Sequence, residues 1–176
     1  KYGHGDKQSP GNRAHGFLCL GELEQESGGD PREHFRRAIA DGDAGLALDP
    51  ESPLLLQNRG VAWLHMAAAA EAAGGDPREE YRRAGADFDA VLARNPAHAP
   101  ALHDRGVTRA ALALAEPGDP REKLEQAIAD FDAALRLDPS LAVTWTRRGV
   151  ARHRLARERR ERGAPAGTEI RQARSD

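Results

Sequence analysis

The feature that most constrains this chain is a long internal period. Gly-Asp-Pro-Arg-Glu occurs at Gly29–Glu33, Gly75–Glu79 and Gly118–Glu122, in steps of 46 and 43 residues. A second phrase keeps the same beat: Ala40-Asp41-Gly42-Asp43-Ala44, Ala86-Asp87-Phe88-Asp89-Ala90 and Ala129-Asp130-Phe131-Asp132-Ala133. Each runs into a proline stop at Asp49-Pro50, Asn95-Pro96 and Asp138-Pro139. Arg-Gly-Val recurs at Arg59–Val61, Arg105–Val107 and Arg148–Val150, with His15-Gly16-Phe17 read as a weaker first copy. Three phrases in one register describe stacked units, each contacting only its neighbours. Composition agrees. Aromatics are 5% of the 176 residues and much of the apolar share is alanine, which suits thin packed layers better than one deep core.

Each unit reads as two helices. One opens at Asp-Pro-Arg-Glu, with the aspartate as N-cap, proline in the first helical position and glutamate completing a capping box. Leu124, Ala127, Ile128, Phe131, Ala134 and Leu135 follow three- and four-residue spacing, and so do Tyr81, Ala84, Phe88, Val91 and Leu92. The first copy keeps Phe35, Ala38, Ile39 and Leu46 but has Gly42 and Gly45, and is expected to pack least well. The partner helix opens at Ser52-Pro53 and near Ser140 and is about 30 Å long from Pro53 to Ala73. Glycines at 16, 60, 106 and 149 point to close approach of a neighbouring helix. The expected divisions are a flexible tail over residues 1–8 and an array over 9–176, with units near 9–50, 51–96, 97–139 and 140–176, the last incomplete.

Trp145 with Gly149, and Ala127, Phe131, Ala134 and Pro139, resemble the tetratricopeptide repeat pattern; Leu56 and Leu102 stand where Trp145 stands. The units are longer than the usual 34 residues or so. The resemblance implies an all-α fold: a right-handed superhelical solenoid of antiparallel helix pairs, about three and a half repeats. It also implies a protein–protein interaction scaffold that binds an extended peptide or partner helix in a concave groove lined by the first helix of each unit. The candidate groove residues are Arg13, Phe17 and Leu20, then Leu54, Gln57, Val61, Leu64 and His65, then His103, Val107 and Ala110, then Thr146, Val150 and His153. Val61, Val107 and Val150 are expected to form an apolar ladder beside a polar one of Gln57, His103 and Thr146. The lysines and asparagines with which one subclass grips the acidic tails of heat-shock chaperones are missing at these places, so no such clamp is expected. The alternative function is a regulatory or self-association segment of a larger multidomain protein such as a signalling enzyme. Glu169–Ala173 loosely matches Glu122–Ala127, which suggests an unfinished helix and a piece of a longer protein.

Chemistry is sparse. The acid pairs Asp41/Asp43, Asp87/Asp89 and Asp130/Asp132 recur once per unit, as scaffold residues do. Residues two apart on a helix do not face each other, so surface ion pairs with Arg37, Arg83 and Arg136 are expected for them. None of the seven histidines forms His-Glu-x-x-His, and no two lie three or four apart on a helix, so no metal site is expected. There is no nucleophile elbow, phosphate loop or dinucleotide fingerprint, so neither enzyme activity nor a cofactor is expected. The single cysteine, Cys19, lies in an apolar run and is expected to be buried; it cannot close an intrachain disulfide. A disulfide-stapled secreted scaffold is thereby excluded, and a cytoplasmic location is expected. No run of 18 apolar residues exists for a membrane span. The net charge of −2 gives no basic field for nucleic acid. One basic run does stand out. Between Arg147 and Arg162 lie eight arginines and two glutamates, making Arg148, Arg152 and Arg159 candidates for docking an acidic partner. The partner class is protein or peptide, with self-association possible.

Overall fold

The computed structural model describes residues 9–161. These form seven α-helices, with no strand among the described residues. Backbone contacts divide the chain into two compact units, Lys1–Arg94 and Asn95–Asp176. The first contains α1 (Pro10–Glu26), α2 (Arg32–Leu46), α3 (Pro53–Ala72) and α4 (Arg78–Arg94). The second contains α5 (Ala99–Ala115), α6 (Arg121–Leu137) and α7 (Ala142–Glu161). Within the first unit α1 pairs with α2 and α3 with α4, while α3 packs on both α1 and α2. Within the second, α5 pairs with α6, and α7 packs on both. The expected tail over residues 1–8 and the helix suggested at Glu169–Ala173 lie outside the described residues.

Local signals set the helix ends. Asp30, Asp76 and Asp119 each accept the backbone N–H two residues on, at 3.1–3.2 Å, as a capping side chain does. The expected capping box does not form. The arginine at that second position folds its guanidinium back onto the same aspartate. The glutamates meanwhile point forward along the helix: Glu33 to Arg37, Glu79 to Arg83 and Glu122 to Gln126. The hydrogen bonds from the arginine hold the Asp30 and Asp76 carboxyls down at about 2. Gly28 and Gly74 take left-handed φ of 81° and 73° at the ends of α1 and α3. There the next glycine N–H returns to Glu24 and Ala70 carbonyls at 2.9 Å, a Schellman closure that a side chain would strain. The proline stops end α2, α4 and α6 as expected.

The predicted stripes are the core. Phe35, Phe88 and Phe131 are fully buried, with Tyr81, Ala84, Val91, Leu92, Leu124, Ala127, Ala134 and Leu135 around them in their own units. Gly60 and Gly106 are where these rings meet bare backbone. A Cβ on Gly60 would lie 2.7 Å from the Phe88 ring, and one on Gly106 2.6 Å from the Phe131 ring. Gly16 does not share this role, because nothing lies within 4 Å of its would-be Cβ. The first copy of the phrase is Arg13-Ala14-His15, two residues earlier than the glycine suggests. Arg13 reaches Asp41 across the same 28-residue spacing by which Arg59 reaches Asp87. The second helix of that unit has Gly42 where the others have phenylalanine, so no ring has to be accommodated and Ala14 takes the place of glycine. Nor is α2 loose. A Cβ on Gly45 would meet Leu55 at 2.7 Å, and one on Gly42 would meet Arg59 Cβ at 3.0 Å, so these glycines let α3 come close.

Glycine costs an exposed helix about 1 kcal/mol against alanine, whereas overpacking a buried contact costs about 1–3 kcal/mol. Gly16→Ala should therefore raise thermal stability and Gly60→Ala should lower it. Melting of the two variants beside the parent checks this, and a rise in both would refute the Phe88 contact.

Candidate functional site

The candidate surface is built from the first helix of each hairpin. On α3, Leu54, Gln57, Val61 and Leu64 fall at three- and four-residue spacing and share one face. This is the least buried face of the helix: Leu54 is 55% exposed, and the other three are half-buried. His65 lies at its edge, stacked on the Phe35 ring at 4.6 Å with Nε2 3.4 Å from a Glu22 carboxylate oxygen. Val61 leans inward onto the cluster of Leu18, Phe35, Ala38, Ile39 and Ala62. On α1 the corrected register puts Gly11, His15 and Leu18 at the positions of Gln57, Val61 and Leu64. The candidates named from the uncorrected register sit elsewhere. Arg13 forms a two-pronged ion pair with Asp41 at 2.7 and 3.0 Å. Phe17 faces α2, stacked with His34 and covered by the Arg37 guanidinium. Leu20 lies on the far, exposed side.

In the second unit the same face carries His103, Val107 and Ala110 on α5, and Thr146, Val150 and His153 on α7. Val107 and Ala110 are half-buried against Ala127, Phe131 and Ala151. Thr146 and His153 are exposed, and Val150 is 47% exposed. Two residues that the sequence reading passes over extend this face. Leu114, seven after Val107, is 50% exposed, and Val143, seven before Val150, is 62% exposed. The heptad step is the signal that finds them. His103 is less free than a groove side chain would be: its Nδ1 lies 2.8 Å from the buried Thr144 hydroxyl, and its ring tilts against Phe131 at 5.9 Å. Burial, with Arg147 adding repulsion, pushes its pKa below the ordinary histidine value; burial does the same to His65 against the pull of Glu22.

The aspartate phrase has a structural task different from the one expected. Arg37 and Arg83 pair with Glu33 and Glu79, not with Asp41 and Asp87. The acids are held instead by the arginine of the Arg-Gly-Val phrase. Arg59 grips the buried Asp87 with two bonds at 2.6 and 2.9 Å and reaches Asp43 with a third at 2.7 Å. Burial pushes the Asp87 carboxyl up and Arg59 pulls it back. Arg105 grips the buried Asp130 in the same way, joined by Arg109. Arg148 and Arg152 share Asp132, and Arg159 pairs with Glu125, so the three basic docking candidates are engaged inside their own unit. Beside Arg59, a cleft of about 240 Å³ is lined by Asp43, Arg59, Trp63, Arg83, Ala86 and Asp87. Arg83 stacks over Trp63 there at 4.8 Å, and the charges are matched.

Cys19 is exposed, because Leu18 takes the inward position; its Sγ lies 3.7 Å from His15 Nε2 one turn earlier. Among the described residues no group of three or more His, Cys, Asp or Glu could hold a metal ion. None of the described helices is long and apolar enough to cross a membrane.

These helix pairs have the tetratricopeptide-repeat fold. Similar solved structures include the second such domain of human RPAP3 in complex with an HSP70 peptide, SGPTIEEVD. It is 23% identical over 81% of this chain and 97% of that one, with a TM-score of 0.53. MamA from Desulfovibrio magneticus RS-1 is 20% identical over 97% and 76%, with a TM-score of 0.60. A thermophilic repeat protein of Thermus thermophilus is 20% identical over 92% and 73%, with a TM-score of 0.60. No family model matches the sequence, and no curated protein matches it.

Both depressed histidines take up protons more readily in the unfolded chain, so the unfolded state binds more protons below the ordinary value of 6.5. Stability should accordingly be highest above about pH 6.5 and should fall as the pH drops through and below it. His103→Gln keeps a polar group near Thr144 and should flatten the dependence of melting temperature on pH. An unchanged slope would place the titrating group elsewhere.

Proposed function

We propose that the chain is an interaction scaffold and that the face of α5 and α7 receives an extended, largely apolar peptide or the apolar side of a partner helix. The observation that carries this reading is the exposure of Leu114, Val143 and Val150 on one face of the second unit, with Thr146 and His153 among them. Apolar area supplies affinity, and a few polar groups set the direction of the bound chain. Leu54, Gln57, Val61 and Leu64 offer a smaller surface of the same kind in the first unit. The RPAP3 domain is in complex with the HSP70 peptide SGPTIEEVD, whose end is acidic, but the α5 and α7 face has no lysine or asparagine at the candidate positions. The occupant proposed here is therefore apolar and not such a tail.

The test is a library of short displayed peptides selected on the protein, followed by titration of the best binder with backbone NMR. Resonances of α5 and α7 should move. Val143→Glu/Val150→Glu should keep the helical spectrum and weaken binding at least about tenfold, the loss expected when two apolar contacts are replaced by charges. The peptide SGPTIEEVD should give no saturable shift. Saturable binding of that peptide, or full binding by the double variant, would overturn this reading.

A further inference from the structure

The residue four after the arginine of the repeated phrase decides how the nearby aspartates are served. In the second unit it is arginine both times. Arg109, four after Arg105, gives Asp130 a bond at 2.7 Å beyond the two that Arg105 supplies. Arg152, four after Arg148, joins Arg148 on Asp132 at 3.2 Å. Four after Arg59 stands Trp63 instead. In the repeat register the counterparts of Asp130 and Asp132 there are Asp87 and Asp43, and Arg59 bonds both of them. It reaches Asp43 at Oδ1, and among the described residues Oδ2 accepts no hydrogen bond. The Asp43 side chain stays 58% exposed, whereas Asp132, with two arginines, is 31% exposed. Burial pushes the Asp87 carboxyl up, and the charge of Asp43 adds to this against the pull of Arg59.

These groups line the cleft of about 240 Å³ between α2, α3 and α4. Of its four charges, Arg83 is answered from outside: its Nε donates to Glu79 at 3.0 Å, its guanidinium lies over the Trp63 ring, and it bonds neither aspartate. Two carboxylates are thus left to one arginine. Asp41 faces α1, and two residues turn a helix by about 200°, so Asp43 and the cleft lie on the opposite flank of α2. We propose that the cleft binds the side chain of an arginine from a partner peptide, its guanidinium beside the Trp63 indole and donating to Asp43 Oδ2. That is the place in the repeat that Arg109 and Arg152 fill in the second unit. The volume suits one side chain and falls below the roughly 300–1,000 Å³ of small-molecule sites. A guanidinium fits better than an ammonium because it is planar, stacks on aromatic rings and presents its donors as a fork.

The probe is Nα-acetyl-arginine amide, titrated into the isotope-labelled protein and followed by NMR at the backbone amides of Asp43 and Ala86. Both should move saturably, with a Kd on the order of millimolar, since one side chain makes few contacts. Nα-acetyl-lysine amide at the same ionic strength should bind at least about threefold more weakly. Asp43→Asn changes an exposed side chain, should keep the helical spectrum and should weaken binding at least about fivefold through loss of the charge-assisted bonds. Trp63→Arg supplies within the chain the arginine found at 109 and 152 and should abolish binding. No saturable movement overturns the proposal, and so does equal binding of the lysine compound. Full binding by Asp43→Asn, or by a folded Trp63→Arg, does the same. None of these outcomes bears on the α5 and α7 face, whose residues belong to the other unit.

Discussion

The structure depends on a phenylalanine ring laid against a helix backbone that has no side chain to meet it. Phe88 on Gly60 and Phe131 on Gly106 bring each ring against the facing helix backbone, closer than a residue with a Cβ at the glycine would allow. The same contact fixes rotation. Once the ring sits on the glycine, the arginine one residue earlier is aimed at the aspartate one residue before the ring. Arg59 with Asp87 and Arg105 with Asp130 are the result. Taking a buried carboxylate from water is costly, and removing its partner leaves that cost uncompensated, about 3–5 kcal/mol. The ion pairs therefore punish a slipped register while the rings supply the apolar burial.

The first hairpin shows the rule by exception. There the ring is absent, Gly42 takes its place, and Ala14 replaces the glycine opposite. The ion pair survives as Arg13 with Asp41, so the register is kept by charge when the aromatic contact is missing. Phe35, about two turns earlier in α2, carries the apolar burial instead, and a Cβ on Gly21 would sit 2.4 Å from its ring.

Much of this is legible in the sequence because it is periodic. The stripes through Phe88 and Phe131, the aspartate starts and the proline stops depend on neighbours within a turn or two, and each recurs. What misleads is non-local. His15-Gly16-Phe17 looks like the shared phrase only if glycine is taken as its marker; the arginine partner 28 residues away identifies Arg13-Ala14-His15 instead. The glutamates do not close the capping boxes because each is engaged one turn further on, by Arg37, Arg83 or Gln126, a competition that the capping rule does not include. Cys19 turns outward where burial is expected, because an apolar run does not reveal which of its members faces in. The face of Leu114, Val143 and Val150 is half visible. The three valines lie in the repeated phrase, but their separation into half-buried Val61 and Val107 and exposed Val150 follows from packing.

The most direct test of the ring-on-backbone contact is a double-mutant cycle on Gly106 and Phe131, read by equilibrium unfolding. In the parent, Gly106→Ala should destabilise because the new methyl meets the ring. In a Phe131→Ala background the ring is gone, and the same change should be neutral or stabilising by up to about 1 kcal/mol, the helix propensity gain. A cost of Gly106→Ala that is the same in both backgrounds would contradict the contact as the basis of the fold.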